Sequence, residues 1–292
     1  MILNYRPSAQ PRSLIPRPLL PAARAIYHRL FRLQLRLRCC FADLATPRDA
    51  GGSPLPPALL RYRVSESLDP DEFLRIGQGC ARLIEDHSLR MGLSLASTRR
   101  VLDFGCGCGR TLRWMLPRFP GVEFHGVDVD ANAILWCQQN LPAAQCIRGN
   151  PDPPLPYPDS YFDFVYCLSV FTHLDEAAQD RWLQELARLL SPGGLLLLTV
   201  HGSRAAAALD PPGLESLRTE GFLHRRSPKL RGIVPDWYHT TWHSEQYIVA
   251  RLAALFDAVD YRDIPDGMQA FVLARGSRYF SRNAFTSTVS PL

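Results

Sequence analysis

From Arg100 onward the chain alternates short apolar runs with longer stretches of helical period. The runs at 100–104, 122–127, 144–147, 162–167 and 195–201 have the length and apolar character of buried strands. Residues 110–116, 131–140, 176–190 and 245–256 place apolar side chains at helical spacing. Such alternation predicts an α/β fold, a mostly parallel sheet with right-handed crossovers and helices on both faces. Near the end, 258–264 and 269–274 flank Pro265-Asp266-Gly267, which predicts a terminal antiparallel hairpin on that sheet. Residues 202–243 interrupt the pattern and are read as an insertion over the sheet edge.

Upstream the pattern changes. Residues 1–21 hold five prolines and no acid, which predicts a tail without helix or ladder. Over 24–38, Ile26, Leu30, Leu33 and Leu37 fall on one helical face and Arg29, Arg32 and Arg36 on another. Two readings stand for this basic amphipathic helix: it lies on an anionic membrane, or it docks on a protein surface. Residues 47–57, rich in Gly, Ser and Pro, read as a linker. Asp69-Pro70-Asp71-Glu72 is a helix start, followed by a core-facing stripe of Phe73, Ile76, Cys80, Leu83 and Ile84.

Composition adds an asymmetry. The 292 residues carry a net charge of +5, yet residues 1–63 hold eleven arginines against only Asp43 and Asp49, so the remainder is mildly acidic. The Arg-rich leader shares its bias with organelle transit peptides, but its prolines argue against the helix such a signal needs. With 46% hydrophobic residues the chain can bury a full core. No apolar run reaches transmembrane length, so a cytoplasmic, at most membrane-peripheral, protein is expected. The eight cysteines form no C-x-x-C pair; Cys106 and Cys108, two apart with no histidine pair nearby, are read as small loop residues, and no metal site is assigned.

The chemistry concentrates in Val101-Leu102-Asp103-Phe104-Gly105-Cys106-Gly107-Cys108-Gly109-Arg110, at the carboxyl end of the first strand. Ligands of open α/β sheets bind there, and glycine lets the backbone approach them closely. A dinucleotide fingerprint requires a glycine where Arg110 stands, which disfavours a nicotinamide enzyme. Asp103 beside the loop suits a cationic ligand better than a pyrophosphate.

This stretch resembles motif I of the class I S-adenosylmethionine-dependent methyltransferases, and the resemblance runs over about residues 73–275. It implies a Rossmann-like seven-stranded mostly parallel sheet with a terminal antiparallel hairpin and helices on both faces. It implies S-adenosyl-L-methionine as cofactor, with Asp103, Gly105, Gly107 and Gly109 around it. Asp128 occupies the place of the family's ribose-binding acid, where a carboxylate can accept from two vicinal hydroxyls. Asp130 reads as the cap of the next helix. The adenine loop departs from the common Gly-Asp: here Gly149-Asn150 precedes Pro151-Asp152, leaving Asn150 as the adenine contact and Asp152 as a substitute. Ser169, after the fourth strand, is expected beside the methionine portion. The Asn/Asp-Pro-Pro-Tyr/Phe signature of nucleobase amine methylases is absent, so no nucleic-acid target is expected.

Methyl transfer in line with a carbon–sulfur bond asks chiefly for alignment, and a hydroxyl acceptor also needs a base. Four histidines and a tyrosine cluster where that base would sit: His173, His201, and Tyr238, His239 and His243 of the insertion. His201 and His239 are the first candidates. The expected function is O-methylation of a small molecule or of a glycan or glycolipid hydroxyl. A catalytically silent methyltransferase-like scaffold is the alternative; an aminopropyl transferase is disfavoured because the insertion has no acidic cluster for a polyamine. The domain reading is a basic extension over 1–63, a methyltransferase domain over 64–278 with a lid or substrate wall over 202–243, and a tail over 279–292.

Overall fold

The computed structural model describes residues 20–44, 48–49, 51–226, 239–264 and 267–279. Residues 1–19 of the predicted N-terminal tail, Tyr238, Pro265-Asp266 of the predicted turn and residues 280–292 lie outside them. In chain order the elements are α1 (Leu20–Asp43), α2 (Ala58–Ser65), α3 (Pro70–Arg90), β1 (Arg100–Phe104), α4 (Leu112–Arg118), β2 (Glu123–Asp128), α5 (Ala131–Asn140), β3 (Ala144–Arg148), β4 (Phe162–Cys167) and α6 (Glu176–Leu189). They continue with β5 (Leu190–His201), α7 (Ser203–Ala206), α8 (Pro211–Glu220), β6 (Phe222–Arg225), β7 (Thr240–His243), α9 (Glu245–Ala253), β8 (Phe256–Arg262) and β9 (Gln269–Ser277).

Seven strands form one sheet in the order β3-β2-β1-β4-β5-β9-β8, and β6 pairs with β7 in a separate ribbon. The first five strands are parallel; β9 is antiparallel to both β5 and β8. This is the expected Rossmann-like sheet with its terminal hairpin, and β9, not β8, is the strand paired with β5.

Alternate residues of each strand enter opposite cores. Val101, Phe124, Phe164, Tyr166, Leu195 and Leu197 belong to one apolar cluster, and Leu102, Val127, Val165, Cys167, Leu196 and Leu198 to the other. A parallel sheet covered on both faces needs such continuous apolar strands. Truncating a fully buried member such as Leu197 to alanine leaves a cavity costing about 2–5 kcal/mol.

Three sequence expectations shift. Leu83, expected in the core stripe of α3, is 37% exposed, whereas Phe73, Ile76, Cys80 and Ile84 are buried; at 100° per residue Leu83 falls at the edge of that stripe. The fifth strand starts at Leu190 rather than 195, because Phe162 pairs with Leu190 and Phe164 with Leu195, so Ser191–Gly194 bulge out between two ladder contacts. Finally, the 63/64 boundary falls inside α2. The linker before it is held to the body: Arg113 pairs with Asp49 at 2.9 Å, and the Ala58 N–H donates to Asp43 Oδ1 at 2.7 Å.

Among the described residues no helix is long and apolar enough to cross a membrane.

Candidate active site

The loops that follow β1, β2, β4 and β5 gather at the carboxyl ends of these strands. The N–H groups of Gly105 and Cys106 both donate to the Val127 carbonyl, at 2.8 and 3.1 Å, which folds the loop after β1 back over β2. Gly105 has φ +82°, and a Cβ there would stand 2.2 Å from Val170 Cγ2. Gly107 has φ +52°, and its Cβ would meet Val64 Cγ1 at 2.6 Å. Both positions therefore require glycine for conformation and for space. Gly109 closes the loop with φ +72°.

Two carboxylates frame this loop differently. Asp128, ending β2, accepts from the Gly107 N–H on Oδ2 and from the Asp130 N–H on Oδ1, both at 2.8 Å. Burial raises its pKa, and those backbone donors oppose the rise. Each oxygen keeps a free lone-pair site, so the carboxylate is oriented and can still accept from a ligand's paired hydroxyls. Asp130 caps α5 by accepting from the Asn132 and Ala133 N–H groups, and Arg63 of α2 pairs with its other oxygen.

Asp103 sits deeper. It is 3% exposed and accepts from the Tyr166 hydroxyl at 2.9 Å, across the β1–β4 register in which the two residues are paired. Burial pushes its carboxyl up to about 8, against the lowering effect of the Tyr166 hydrogen bond. A cation above the loop would favour its ionised form.

The next two loops complete the rim. Asn150 is exposed after Gly149, whose N–H donates to the Asp128 carbonyl at 2.9 Å. Asp152 is paired with Arg181 at 2.6 Å, which engages the carboxylate considered as a substitute for Asn150. Ser169 follows β4 in a left-handed conformation, φ +61°, held by its N–H to Thr199 Oγ1 at 2.8 Å. Its hydroxyl accepts from Gln269 Nε2 at 2.7 Å.

The β6–β7 ribbon crosses above the ends of β4 and β5, tied by the Thr241 N–H to the Thr172 carbonyl at 2.8 Å. It brings the histidines together. His201 Nδ1 faces the Thr241 carbonyl at 2.7 Å, and the ring stacks on Trp242 at 5.4 Å. A carbonyl only accepts, so Nδ1 carries the proton and Nε2 presents a lone pair. Burial lowers the His201 pKa and keeps the ring neutral. His173 Nδ1 likewise donates to the His239 carbonyl at 2.6 Å, and burial brings its pKa down to about 3. His239 Nδ1 is buried without a hydrogen-bond partner among the described residues, and its ring lies 5.2 Å from that of His224. His243 donates from Nε2 to Gln179 Oε1 at 2.9 Å and is held neutral by burial, with a pKa of about 3. That bond faces the interior, so His243 is a packing histidine.

The sequence reading missed what supports the loop. From α2, the Val64 carbonyl accepts from Arg110, the Leu60 carbonyl faces Cys108 Sγ at 3.6 Å, and Val64 packs under Gly107. Tyr166, Thr199 and Gln269 were also missed; only Tyr166, a polar residue inside an apolar strand, left a signal. Cys106 converges with Cys137 and Cys146, not with Cys108, the three sulfurs lying within 4.8 Å of one another. Gly126 makes room for them, since a Cβ there would stand 3.0 Å from the sulfurs of Cys106 and Cys146.

Residues 101–194 match the family described as "Methyltransferase domain". The chain is 33% identical over 103 residues to a fatty-acid O-methyltransferase of Mycolicibacterium smegmatis, covering 35% of this chain and 36% of that protein. It is 28% identical over 176 residues to a trans-aconitate 2-methyltransferase of Azoarcus sp., covering 59% and 65%. The alignments thus span from about a third to just under two thirds of these relatives. In fold it is similar to an O-methyltransferase family protein from Burkholderia thailandensis, with a TM-score of 0.53, 15% identity, and coverage of 87% of this chain and 71% of that one. Residues 101–194 are thus similar to a methyltransferase domain, the resemblance that implies S-adenosylmethionine as cofactor. The tight glycine turn after β1 and the oriented Asp128 carboxylate fit that cofactor.

Proposed function

We propose that this chain is a class I S-adenosylmethionine-dependent methyltransferase and that it methylates an oxygen, the hydroxyl of a small molecule or of a glycan or glycolipid. When bound, the cofactor supplies an electrophilic methyl group on a sulfonium. Gly105, Gly107 and Gly109 let the backbone approach it, Asp128 accepts from its ribose hydroxyls, and Asn150 borders its adenine. Asp103 lies beneath the loop as a buried negative charge when ionised, and Ser169 borders the methionine portion.

The observation that carries the oxygen target is His201. Its tautomer is fixed by the Thr241 carbonyl, its Nε2 lone pair is unprotonated at neutral pH, and it stands at the carboxyl end of β5 under the β6–β7 ribbon. A base so placed takes the acceptor's proton as the new carbon–oxygen bond forms. His239, on the adjoining edge of the ribbon, lines the same wall and serves as the second candidate. The names of the two relatives, one of which acts on a fatty acid and one on trans-aconitate, support a small acceptor bearing oxygen.

The test is release of S-adenosylhomocysteine from S-adenosylmethionine across a panel of hydroxylated small molecules, glycans and glycolipids. Turnover with a hydroxyl acceptor that His201→Gln abolishes supports the reading. Tight cofactor binding without turnover on any acceptor turns it toward a silent scaffold.

A further inference from the structure

We propose that α1 docks the protein on an anionic lipid bilayer. The inner face of this helix is accounted for: Phe31, Leu35, Cys39 and Ala42 pack with Ala58, Leu59, Tyr62 and Leu68. The opposite face is not. Ile26, Leu30, Leu33, Leu37, Phe41 and Leu44 recur at intervals of three and four residues and are between 51% and 79% exposed. At 1.5 Å per residue they make an apolar stripe of roughly 27 Å. Soluble proteins seldom leave so long a contiguous apolar strip facing water without a partner for it.

Charge identifies that partner. Arg29, Arg32 and Arg36 project between the outer stripe and the docked face, about a quarter turn from the stripe. The helix has no acid before Asp43, whose Oδ1 accepts from the Ala58 N–H. Two copies packed stripe to stripe would bring arginine flanks together with no acid from the stripe to meet them, which disfavours a dimer through this face. An anionic bilayer satisfies both halves at once: the stripe enters the boundary between headgroups and acyl chains, and the guanidinium groups remain at the level of lipid phosphates. A helix lying in the membrane plane needs this division and needs no transmembrane length.

The placement has a second consequence, which rests on the proposed methyl transfer, whereas the docking itself does not. Because α2 follows α1, holds the glycine loop through Val64 and Leu60, and holds the α5 cap Asp130 through Arg63, a docked α1 fixes the cofactor loop relative to the lipid surface. The acceptor class this favours is a lipid-borne oxygen presented at the headgroup level.

Docking is tested on the full chain by co-sedimentation with vesicles of phosphatidylcholine mixed with phosphatidylglycerol, against vesicles of phosphatidylcholine alone. The expected result is roughly tenfold stronger partitioning to the anionic vesicles, weakened by high salt. Leu30→Glu with Leu37→Glu should abolish binding, and Arg29→Gln with Arg32→Gln should weaken it selectively for anionic vesicles, with thermal melts unchanged in both. Equal partitioning to the two vesicle types, no partitioning to either, or binding retained by the Leu30→Glu, Leu37→Glu variant would overturn the proposal. So would light scattering that shows a dimer dissociated by that variant, which would assign the stripe to a second copy. None of these readouts depends on cofactor or turnover, so failure of the methyl-transfer reading leaves the docking result interpretable.

Discussion

The Gly107 amide donates to Asp128 Oδ2 at 2.8 Å, which couples the glycine loop after β1 to the acid that ends β2. The same carboxylate that would accept from a ligand thus shapes the loop the ligand rests on. Asp128→Asn should therefore act on both. An amide nitrogen at either carboxylate oxygen would face a backbone N–H, and a charge-assisted acceptor is lost. Affinity for S-adenosylmethionine should fall by about 10-fold to 100-fold in a calorimetric titration. Unchanged affinity would remove Asp128 from the cofactor site.

Gly107→Ala should destabilise the fold by about 1–3 kcal/mol, from the left-handed conformation and from contact with Val64. Val64→Ala in the same chain should recover part of this loss, because it removes the clashing methyl groups and leaves the conformational strain. Urea melts of the four proteins of this cycle measure the coupling. Strict additivity would show that α2 does not rest on the loop in solution.

His201→Gln should lower kcat by about 100-fold or more on a hydroxyl acceptor while leaving cofactor affinity within about twofold. Because burial depresses the His201 pKa, the base stays unprotonated below pH 6.5, and the wild-type rate should hold in mild acid. A rate that instead halves near pH 6.5 or above would point to another base.

Stability should peak near pH 6.5. Between pH 6.5 and about 3, His173 and His243 are neutral when folded but protonate when unfolded, so acid destabilises the fold through both. Asp103 acts oppositely: between 3.8 and about 8 it holds a proton in the folded chain and loses it on unfolding, so stability falls as pH rises through that window. Each group contributes a slope of about 1.4 kcal/mol per pH unit. Below pH 6.5 these two histidines, joined by His201, outweigh Asp103, and of these four groups only Asp103 still changes protonation on unfolding above it. Urea melts across pH should show this maximum, with the alkaline decline flattened in Asp103→Asn.

Arg61 of α2 is fully buried, and its three guanidinium nitrogens have no hydrogen-bond partner among the described residues. Burial alone works to lower its pKa, with Asp43 opposing. Replacing a buried charge that makes no hydrogen bond among the described residues by an apolar side chain of similar length removes a desolvation penalty larger than the attraction of Asp43, so Arg61→Met should stabilise the protein by about 1–4 kcal/mol. A lower melting temperature in that variant would mean that the guanidinium has an anionic partner in solution.

How much of this was legible in the sequence depends on the range of the interaction. Val101 through Arg110 announce a strand, a tight glycine turn and a helix because each is a local property of the chain. Asp130 could be read as a cap for the same reason, and its side chain does accept from Asn132 and Ala133. The support of the site is nonlocal. Asp103 meets Tyr166 across 63 residues, and Ser169 meets Gln269 across 100; pairings of that kind follow from strand order, which no short window encodes. The fifth strand was read five residues short because Pro192-Gly193-Gly194 look like a turn, and the bulge that accommodates them is fixed by β4. The histidines were legible as a set, but only the ribbon register separates His201, whose Nε2 has no hydrogen bond among the described residues, from His243, whose Nε2 is spent on Gln179.

The hold of α2 on the glycine loop also sets an order of events during synthesis. Leu60 and Val64 precede the loop residues they contact by 48 and 46 positions, and Arg63 precedes Asp130 by 67. At roughly 5–20 residues per second, the leader waits roughly 2–13 s on the ribosome before the segment it braces has been made. The nascent chain therefore carries its greasy helix in the open before any cofactor pocket exists, and the pocket closes onto a brace that was translated first.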